Sequence, residues 1–204
     1  MLAGLLGQPG YTVAAVGRRR PAVPGHPHQH TLVDLADPAA TENAARQLAA
    51  VTFGAAVFTA GIDSRQGVAV LEPAVFSRVM QVNCLSHLQL LRHVAAAADP
   101  QQGPLRVAAV SSDVIGEAQP GTAVYAASKA ALEEGLRHAA GDIALRLLLM
   151  RLPYIGVDMA ETGEAGITPR PVPAVPPPLA REAAAVTLRF LTSPDSKPCV
   201  EVWP

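Results

Sequence analysis

The chain has 204 residues, of which half are apolar and 16% are charged, and its formal net charge is −1. This composition provides enough apolar surface for a sizeable core, and it excludes a disordered chain or a protein built to bind a polyanion. The basic run from Arg18 to Arg20 is too short to form a nucleic-acid-binding face. The length fits a single domain.

The two cysteines, Cys84 and Cys199, form neither a disulfide framework nor a metal-binding pattern, which favours a reducing compartment. Cys84 has no activating neighbour in sequence and is expected to pack in the core. The first residues lack the basic and long apolar segments of a signal peptide. No apolar run approaches the ~20 residues that cross a bilayer. The sequence therefore predicts a soluble, cytoplasmic protein without a membrane segment.

Six short apolar runs predict β-strands, and several are apolar almost throughout, as expected for parallel strands covered on both faces. They are residues 11–16, 31–35, 55–60, 105–111, 145–152 and 199–203. Helix-like segments separate the later runs, and proline after Asp37 and after Glu72 suits the first turn of a helix. Alternating strands and helices predict an α/β fold with a doubly wound parallel sheet, in a single domain over residues 1–204.

Two proline-rich connections interrupt this alternation, at residues 18–30 and 168–178. Both can be surface loops. The second can also be a lid above a substrate site, because open α/β sheets bind ligands at the carboxyl ends of their strands. The first contains three alternating histidines without a carboxylate or thiol nearby, so we predict no metal site there. The remaining histidines, His87, His93 and His138, lie on predicted helices and are expected at the surface or in an interface.

The most specific pattern is the segment VSSDVIGEAQPGTAVYAASKAAL, residues 110–132. Tyr125 and Lys129 are four residues apart on a predicted helix and therefore share a face. Ser112 lies thirteen residues before Tyr125, just after a buried strand, and Asn83 comes from the earlier segment MQVNC. These motifs resemble the classical short-chain dehydrogenase/reductase family, whose site combines serine, tyrosine and lysine at this spacing. The resemblance implies a Rossmann-like fold.

The chemistry explains why these residue types occur together. A free tyrosine has a pKa near ~10, too high for a base at neutral pH. An ammonium group one turn away favours the phenolate, so Lys129 lowers the pKa of Tyr125 and makes it a general acid/base. Ser112 then orients and polarises the substrate oxygen. The resemblance implies that Asn83 holds a water that relays protons to Lys129. The alternative is an exposed helix and a serine that caps a turn.

The resemblance also implies a nicotinamide cofactor and assigns residues to it. Asp34, in the segment VDLADP, corresponds to the family's aspartate beside the adenine. Ala60 and Gly61, in VFTAGI, keep the end of the family's N-N-A-G turn. Pro153 keeps the proline of the family's P-G turn after the fifth predicted strand.

Arg18 decides between the two nicotinamide dinucleotides. The first predicted strand ends without the acidic residue that grips a ribose 2′-hydroxyl, and Arg18 follows it instead. An arginine at this point suits a 2′-phosphate, so the predicted cofactor is NADP. The basic run can alternatively be a solvated turn.

The sequence departs from the family at its beginning. The family opens with a strand and then T-G-x-x-x-G-x-G, whose backbone amides approach the pyrophosphate. No such segment occurs here, and MLAGLLGQPGYTV resembles the tail of the first helix running into the second strand. The expectation is an N-terminally truncated fold with a gap in its sheet, flanked by unpaired backbone groups. Either the neighbouring strands close up, a partner fills the gap, or the true start lies upstream, which stability favours.

A second departure follows the fifth predicted strand, where the sequence reads PYIGVDM. Tyr154 replaces the family's glycine, and Gly156 and Asp158 replace residues that usually meet the nicotinamide amide. Tyr154 is expected to crowd the nicotinamide end, and Asp158 to bring a negative charge near it. Both departures motivate two alternatives: a cofactor-free enzyme such as a dehydratase, isomerase or cyclase, and a non-catalytic paralogue that serves as a partner subunit.

The predicted function is hydride transfer between NADP(H) and a small carbonyl or alcohol substrate, without nucleic-acid or membrane partners. Family members commonly pair through the helices that here span residues 73–98 and 122–140. Small residues on the second of these helices permit close helix–helix contact. A homo-oligomer is therefore expected.

Overall fold

The computed structural model describes residues 12–18, 28–64, 66–153, 177–195 and 199–203. Its strands and helices, in chain order, are β1 (Val13–Gly17), β2 (His28–Leu32), α1 (Pro38–Leu48), β3 (Ala55–Phe58), α2 (Pro73–Met80), α3 (Ser86–Ala96), β4 (Leu105–Ser112), α4 (Ala123–Asp142), β5 (Leu145–Leu152), α5 (Pro177–Thr192) and β6 (Cys199–Trp203). A π-helical turn, Gln81–Leu85, joins α2 to α3. The α/β alternation predicted from sequence is confirmed.

The strands form two parallel groups. β1 pairs with β2, and the other four pair in the order β3–β4–β5–β6. The longest ladder joins β4 to β5, from Leu105 opposite Leu145 to Ser112 opposite Leu152. Within the described residues, no ladder joins β1 to β3. Among the described strands, the gap expected from sequence is therefore present, because β1 and β3 do not pair with each other.

Helices cover both faces of the four-stranded sheet, because alternate residues of its strands point to opposite sides. On one face, Val107 and Leu147 join a core with α1, α3 and α4. On the other face, Ala108 and Leu148 pack with Phe190 of α5. Most residues of β4 and β5 are buried, which explains why these strands are predominantly apolar. Cys84 is buried in the first core, as expected.

The predicted strand boundaries agree best with those of the structure in the last three strands. The structure keeps residues 145–152 and 199–203 and extends 105–111 by one residue. The prediction for β2 is shifted, because this strand begins at His28 and includes polar residues assigned to a loop. In the described chain β2 pairs only with β1, and as an outer strand it tolerates polar side chains.

No helix among the described residues is both long and apolar enough to cross a membrane.

Candidate active site

The four predicted catalytic residues come from three elements around the carboxyl end of β4. Ser112 is the last residue of β4, and Tyr125 and Lys129 lie on the first two turns of α4. The loop between them turns back through Gly116 and Gly121, whose φ angles of +89° and +77° favour glycine. Asn83 lies in the π-helical turn, an irregularity that is frequent at functional sites.

Lys129 is held inside the protein. It is 2% exposed, and its Nζ donates a 3.0 Å hydrogen bond to the carbonyl of Val110, two residues before Ser112. The same Nζ lies 5.7 Å from the centre of the Tyr125 ring. Burial lowers the pKa of Lys129 to about 8, and the carboxylate of Glu133 partly opposes this effect. The amine is therefore still largely protonated at pH 7, as a group that favours a phenolate must be.

Asn83 ties three segments together and is fully buried. Its Oδ1 accepts a 2.8 Å hydrogen bond from the backbone N–H of Ile62, and its Nδ2 donates to the Ile62 carbonyl at 2.9 Å. Nδ2 also donates to Oγ of Ser128 at 2.9 Å, and Ser128 in turn donates to the carbonyl of Tyr125 at 2.8 Å. The loop after β3 is thereby fixed against α4. The water relay implied for Asn83 stays a prediction.

Ser112 is buried and is engaged within its own turn. Its Oγ accepts from the backbone N–H of Val114 and donates to Oδ1 of Asp113, each at 3.3 Å. Both contacts are long for hydrogen bonds, so rotation of the hydroxyl can release it toward a substrate oxygen. The geometry accommodates a substrate-orienting hydroxyl and also the turn-capping alternative.

A buried ion pair beside this group was missed by the sequence analysis. The side chain of Glu133 is 3% exposed and binds Arg151 of β5 in a bidentate manner, at 2.9 Å to Nε and 2.7 Å to Nη2. Burial opposes ionisation of Glu133, but the hydrogen bond and charge of Arg151, with the charge of Arg137, hold its pKa below the ordinary value. Glu133 follows Lys129 by four residues, which was the available signal. Its strand partner could not be read from spacing.

The predicted cofactor residues follow the carboxyl ends of four parallel strands. Arg18 comes directly after β1 and is exposed, and Asp34 follows β2. The Asp34 carboxylate accepts a 3.0 Å hydrogen bond from Ala36 N–H in the turn toward α1. Ala60 and Gly61 follow β3, and Pro153 follows β5. Strands β3, β4 and β5 are parallel within one sheet, so Ala60, Gly61 and Pro153 share its carboxyl edge with Ser112, whereas Arg18 and Asp34 share the carboxyl edge of the β1–β2 pair.

Several predicted features lie outside the described residues. These are Arg19 and Arg20, the PYIGVDM replacements Tyr154, Gly156 and Asp158, and the lid up to residue 176. The last two lid residues, 177 and 178, form the start of α5.

A cavity of about 590 Å³ lies between β1 and β3, and we call it the slot. Its walls include residues 13–16 of β1 and 55–58 of β3. Ala60 is the one predicted cofactor residue in this wall, and none of the four catalytic candidates lines it. His87 does line it and is 1% exposed, so the expectation of a surface or interface position is wrong for this histidine.

Comparison with known proteins identifies the family. A sequence profile described as short chain dehydrogenase matches residues 3–162, well over half of the chain. The chain therefore belongs to the short-chain dehydrogenase/reductase family of oxidoreductases, and the resemblance and the Rossmann-like fold are confirmed. A comparison with curated proteins gives no match.

Many solved structures are similar to this chain, and three of them illustrate the range. One, described as a short chain dehydrogenase/reductase family protein, is 25% identical with a TM-score of 0.65, over 73% of this chain and 66% of its own. This chain thus spans just under two thirds of that protein. An NADH-dependent reductase complexed with NAD is 19% identical with a TM-score of 0.73, over 99% of this chain and 86% of its own. An alcohol dehydrogenase from the archaeon Thermococcus sibiricus, complexed with 5-hydroxy-NADP, is 17% identical with a TM-score of 0.72, over 98% and 87%.

Proposed function

We propose that this chain is an NADP-dependent oxidoreductase that interconverts a small carbonyl compound and the corresponding alcohol. Tyr125 is the general acid/base, Lys129 maintains its reactivity, Ser112 orients the substrate oxygen, and Asn83 relays protons. The observation that carries the proposal is the buried ammonium of Lys129, fixed to the Val110 carbonyl and 5.7 Å from the Tyr125 ring centre. A buried cation has little structural value there, but it stabilises a phenolate.

The protein's own groups handle the proton. When a nicotinamide cofactor is bound, it supplies or accepts the hydride. During reduction, Tyr125 gives its hydroxyl proton to the substrate oxygen, and Lys129 stabilises the phenolate that remains. During oxidation, the phenolate takes the proton of the alcohol. The Ser112 hydroxyl donates to the same oxygen as negative charge develops on it.

The residues present fit the adenine and the 2′-phosphate of the cofactor better than its pyrophosphate. Arg18 offers a cation for a 2′-phosphate, and Asp34 offers an exposed carboxylate near an adenine amino group. The printed sequence holds no T-G-x-x-x-G-x-G segment for the pyrophosphate. Structural neighbours were solved with NAD and with a derivative of NADP, which supports a nicotinamide cofactor in general. The choice of NADP depends on Arg18.

The first experiment measures cofactor binding by isothermal titration calorimetry with NADPH and NADH. We expect NADPH to bind more tightly, and Arg18→Ala to weaken NADPH about tenfold or more while leaving NADH unchanged. Arg181→Ala, at an exposed position on α5, is the matched control and should change neither. Absence of binding by both cofactors would remove hydride transfer and favour the cofactor-free alternative.

The second experiment measures turnover of carbonyl substrates. Tyr125→Phe keeps the aromatic ring but removes the hydroxyl group that gives and takes the proton. We expect a loss in kcat of roughly 10²- to 10⁴-fold with little change in cofactor affinity. Ser112→Ala should also reduce kcat. Ser77→Ala, on an exposed face of α2, is the control and should retain activity. If Tyr125→Phe is as active as the wild-type protein, the assigned acid/base is wrong.

The assembly predicted from the family is a homo-oligomer through residues 73–98, which contain α2 and α3, and residues 122–140, which contain α4. Phe76 of α2 and Leu85 of the following π-helical turn are 41% and 50% exposed, so this segment offers apolar side chains for contact with another copy. Size-exclusion chromatography with light scattering tests this prediction, and a monomer at all accessible concentrations contradicts it.

A further inference from the structure

Asp113 brings a carboxylate next to the hydroxyl that we propose orients the substrate. Its Oδ1 lies 3.3 Å from Oγ of Ser112 and accepts a hydrogen bond from it. The backbone of Asp113 is held at the end of the β4–β5 ladder, because its N–H donates to the carbonyl of Leu152 at 3.3 Å. Asp113 is exposed, whereas Ser112 and Val114 on either side of it are buried. The carboxylate is therefore open to a ligand that reaches Ser112 from the solvent.

The loop between β4 and α4 carries only negative charge. Its charged residues are Asp113 and Glu117. The Glu117 carboxylate accepts a 2.6 Å hydrogen bond from the neutral amide of Gln119. Among the described residues, no lysine or arginine forms an ion pair with Asp113. The ammonium of Lys129 is buried and donates to the Val110 carbonyl instead. The proposed site therefore presents an uncompensated carboxylate beside its serine.

The distances bring this carboxylate within range of a bound substrate. A substrate oxygen that accepts a hydrogen bond from Ser112 lies about 3 Å from its Oγ, and therefore at most about 6 Å from Oδ1 of Asp113. Unit charges at such a separation interact appreciably in a partly desolvated site. During reduction, negative charge develops on the substrate oxygen, and the carboxylate opposes it. A cationic group one or two carbon atoms from the carbonyl removes this penalty, because it attracts both negative charges.

We propose that Asp113 determines substrate specificity, and that it selects carbonyl compounds and alcohols with a positively charged group beside the reacting carbon, such as amino ketones and amino alcohols. The inference rests on the proposed function, because that function puts the substrate oxygen at Ser112. A cation on the substrate replaces Ser112 as the partner of Asp113, which frees the hydroxyl to donate to the substrate oxygen. Neutral ketones of the same shape cannot form this charge-assisted contact. Ketones with a carboxylate in that position are disfavoured by like-charge repulsion.

The test compares two ketones of nearly equal shape, trimethylammonioacetone and its uncharged analogue methyl neopentyl ketone. The value of kcat/KM is measured for each ketone with NADPH, and the ratio of the charged to the neutral ketone is taken. Asp113→Asn keeps the side-chain shape but removes the charge, so we expect this ratio to fall about fivefold, as for a solvent-exposed ion pair. Asp113→Glu keeps the charge and should retain most of the preference. Asp142→Asn, exposed at the far end of α4, is the matched control and should leave the ratio unchanged.

Ionic strength gives a second readout, which a role in the turn alone would not move. At about 1 M sodium chloride the Debye length falls to about 3 Å. The wild-type ratio should then approach that of Asp113→Asn, whose own ratio should change little. A wild-type preference that is insensitive to salt would contradict an electrostatic origin.

The outcomes separate this inference from the proposed function. If the wild-type chain reduces both ketones and Asp113→Asn leaves their ratio unchanged, the specificity proposal is wrong and the oxidoreductase proposal stands. If neither ketone is reduced, the proposed function fails for these substrates, and saturation-transfer NMR then measures the binding of both ketones without turnover. Preferential binding of the charged ketone that is lost in Asp113→Asn would support the role of Asp113. Absence of binding by the charged ketone, or binding that Asp113→Asn leaves unchanged, would overturn it.

Discussion

The four-stranded sheet and the β1–β2 pair are made of the same kind of parallel strand, but they are buried to different degrees. Seven of the eight residues of β5 are buried, whereas none of the five residues of β1 is. The cause is the number of neighbours. β5 has a strand on each side and helices on both faces, while β1 has β2 on one side and the slot on the other.

This difference divides the candidate functional residues into two groups. Ser112, Tyr125 and Lys129 rest on the complete half of the fold, and their contacts are fixed by β4 and α4. Arg18 and Asp34 follow β1 and β2, in the half that borders the slot. The geometry of the proposed acid/base group therefore depends mainly on β4 and α4 rather than on β1 and β2. The following predictions test this division, in decreasing order of expected effect.

The largest effect is expected for His87, in the wall of the slot. Burial first, and the charge of Lys129 second, lower its pKa to about 3, although the nearby Asn83 carbonyl opposes them. An unfolded histidine takes up its proton near ~6.5, so between these values the unfolded chain binds more protons and stability falls with falling pH. Relative to His87→Phe, we expect the wild-type free energy of unfolding to drop by about 3 kcal/mol from pH 7 to pH 4, measured by urea titration.

The control for this prediction is His138→Phe, at an exposed position on α4. It should leave the pH dependence of unfolding unchanged, because the His138 side chain is exposed to solvent and lies outside the slot. If His87→Phe behaves like His138→Phe, water in the slot already solvates the His87 ring. The slot would then be an open cleft rather than a dry one.

The second prediction compares two arginine–glutamate pairs. Arg151→Met leaves Glu133 buried without its closest cation, with Arg137 at 3.8 Å and the charge of Lys129 remaining. We expect a loss of about 2 to 3 kcal/mol, less than for a fully buried pair because the Arg151 side chain is 35% exposed. Urea unfolding measures it.

The matched variant is Arg92→Met, whose partner Glu42 sits between α1 and α3 on the surface. The Arg92 side chain is 66% exposed, so solvent screens the pair and its removal should change stability little. Similar losses in the free energy of unfolding for Arg151→Met and Arg92→Met would show that the two ion pairs contribute equally to stability. That result would contradict the division.

The sequence predicted the complete half well and the incomplete half less well, for physical reasons. β4 and β5 are long, predominantly apolar runs, and burial on both faces favours apolar residues there. β2 starts at His28, inside a segment assigned to a loop, because an outer strand can be polar. His87 was predicted at the surface or in an interface but is buried in the slot wall, because helical periodicity does not show which face of a helix packs over the slot.

For the site, local spacing was informative and long-range pairing was not. The four-residue step from Tyr125 to Lys129 predicts a shared helix face, and the structure has Nζ of Lys129 near the Tyr125 ring. The Glu133–Arg151 pair depends on the packing of α4 over β5, which no short-range pattern encodes. Likewise, sequence could predict the gap in the sheet but not whether β1 and β3 would close over it.

The third prediction uses two valines on different strands. Val107 of β4 is fully buried, whereas Val16 of β1 is half-buried in the slot wall. We expect Val107→Ala to cost about 2 kcal/mol, as lost burial plus a cavity, and Val16→Ala to cost less than about 1 kcal/mol. Urea unfolding at neutral pH compares them. Equal losses would show that the slot is packed as tightly as the sheet.

The smallest effect is expected from Glu133 on the charge of Lys129. Its carboxylate raises the pKa of the buried amine, so Glu133→Gln should lower that pKa below about 8. Lys129 and Lys197 are the only lysines in the sequence, so ¹³Cε-lysine NMR shows two signals and Lys197 serves as the internal reference. Glu134→Gln, adjacent and 68% exposed, is the control and should leave Lys129 unchanged. If Glu133→Gln and Glu134→Gln change the pKa of Lys129 equally, the carboxylate of Glu133 has no specific effect on that pKa and contributes only to packing. The ammonium charge that Tyr125 requires would then not depend on Glu133.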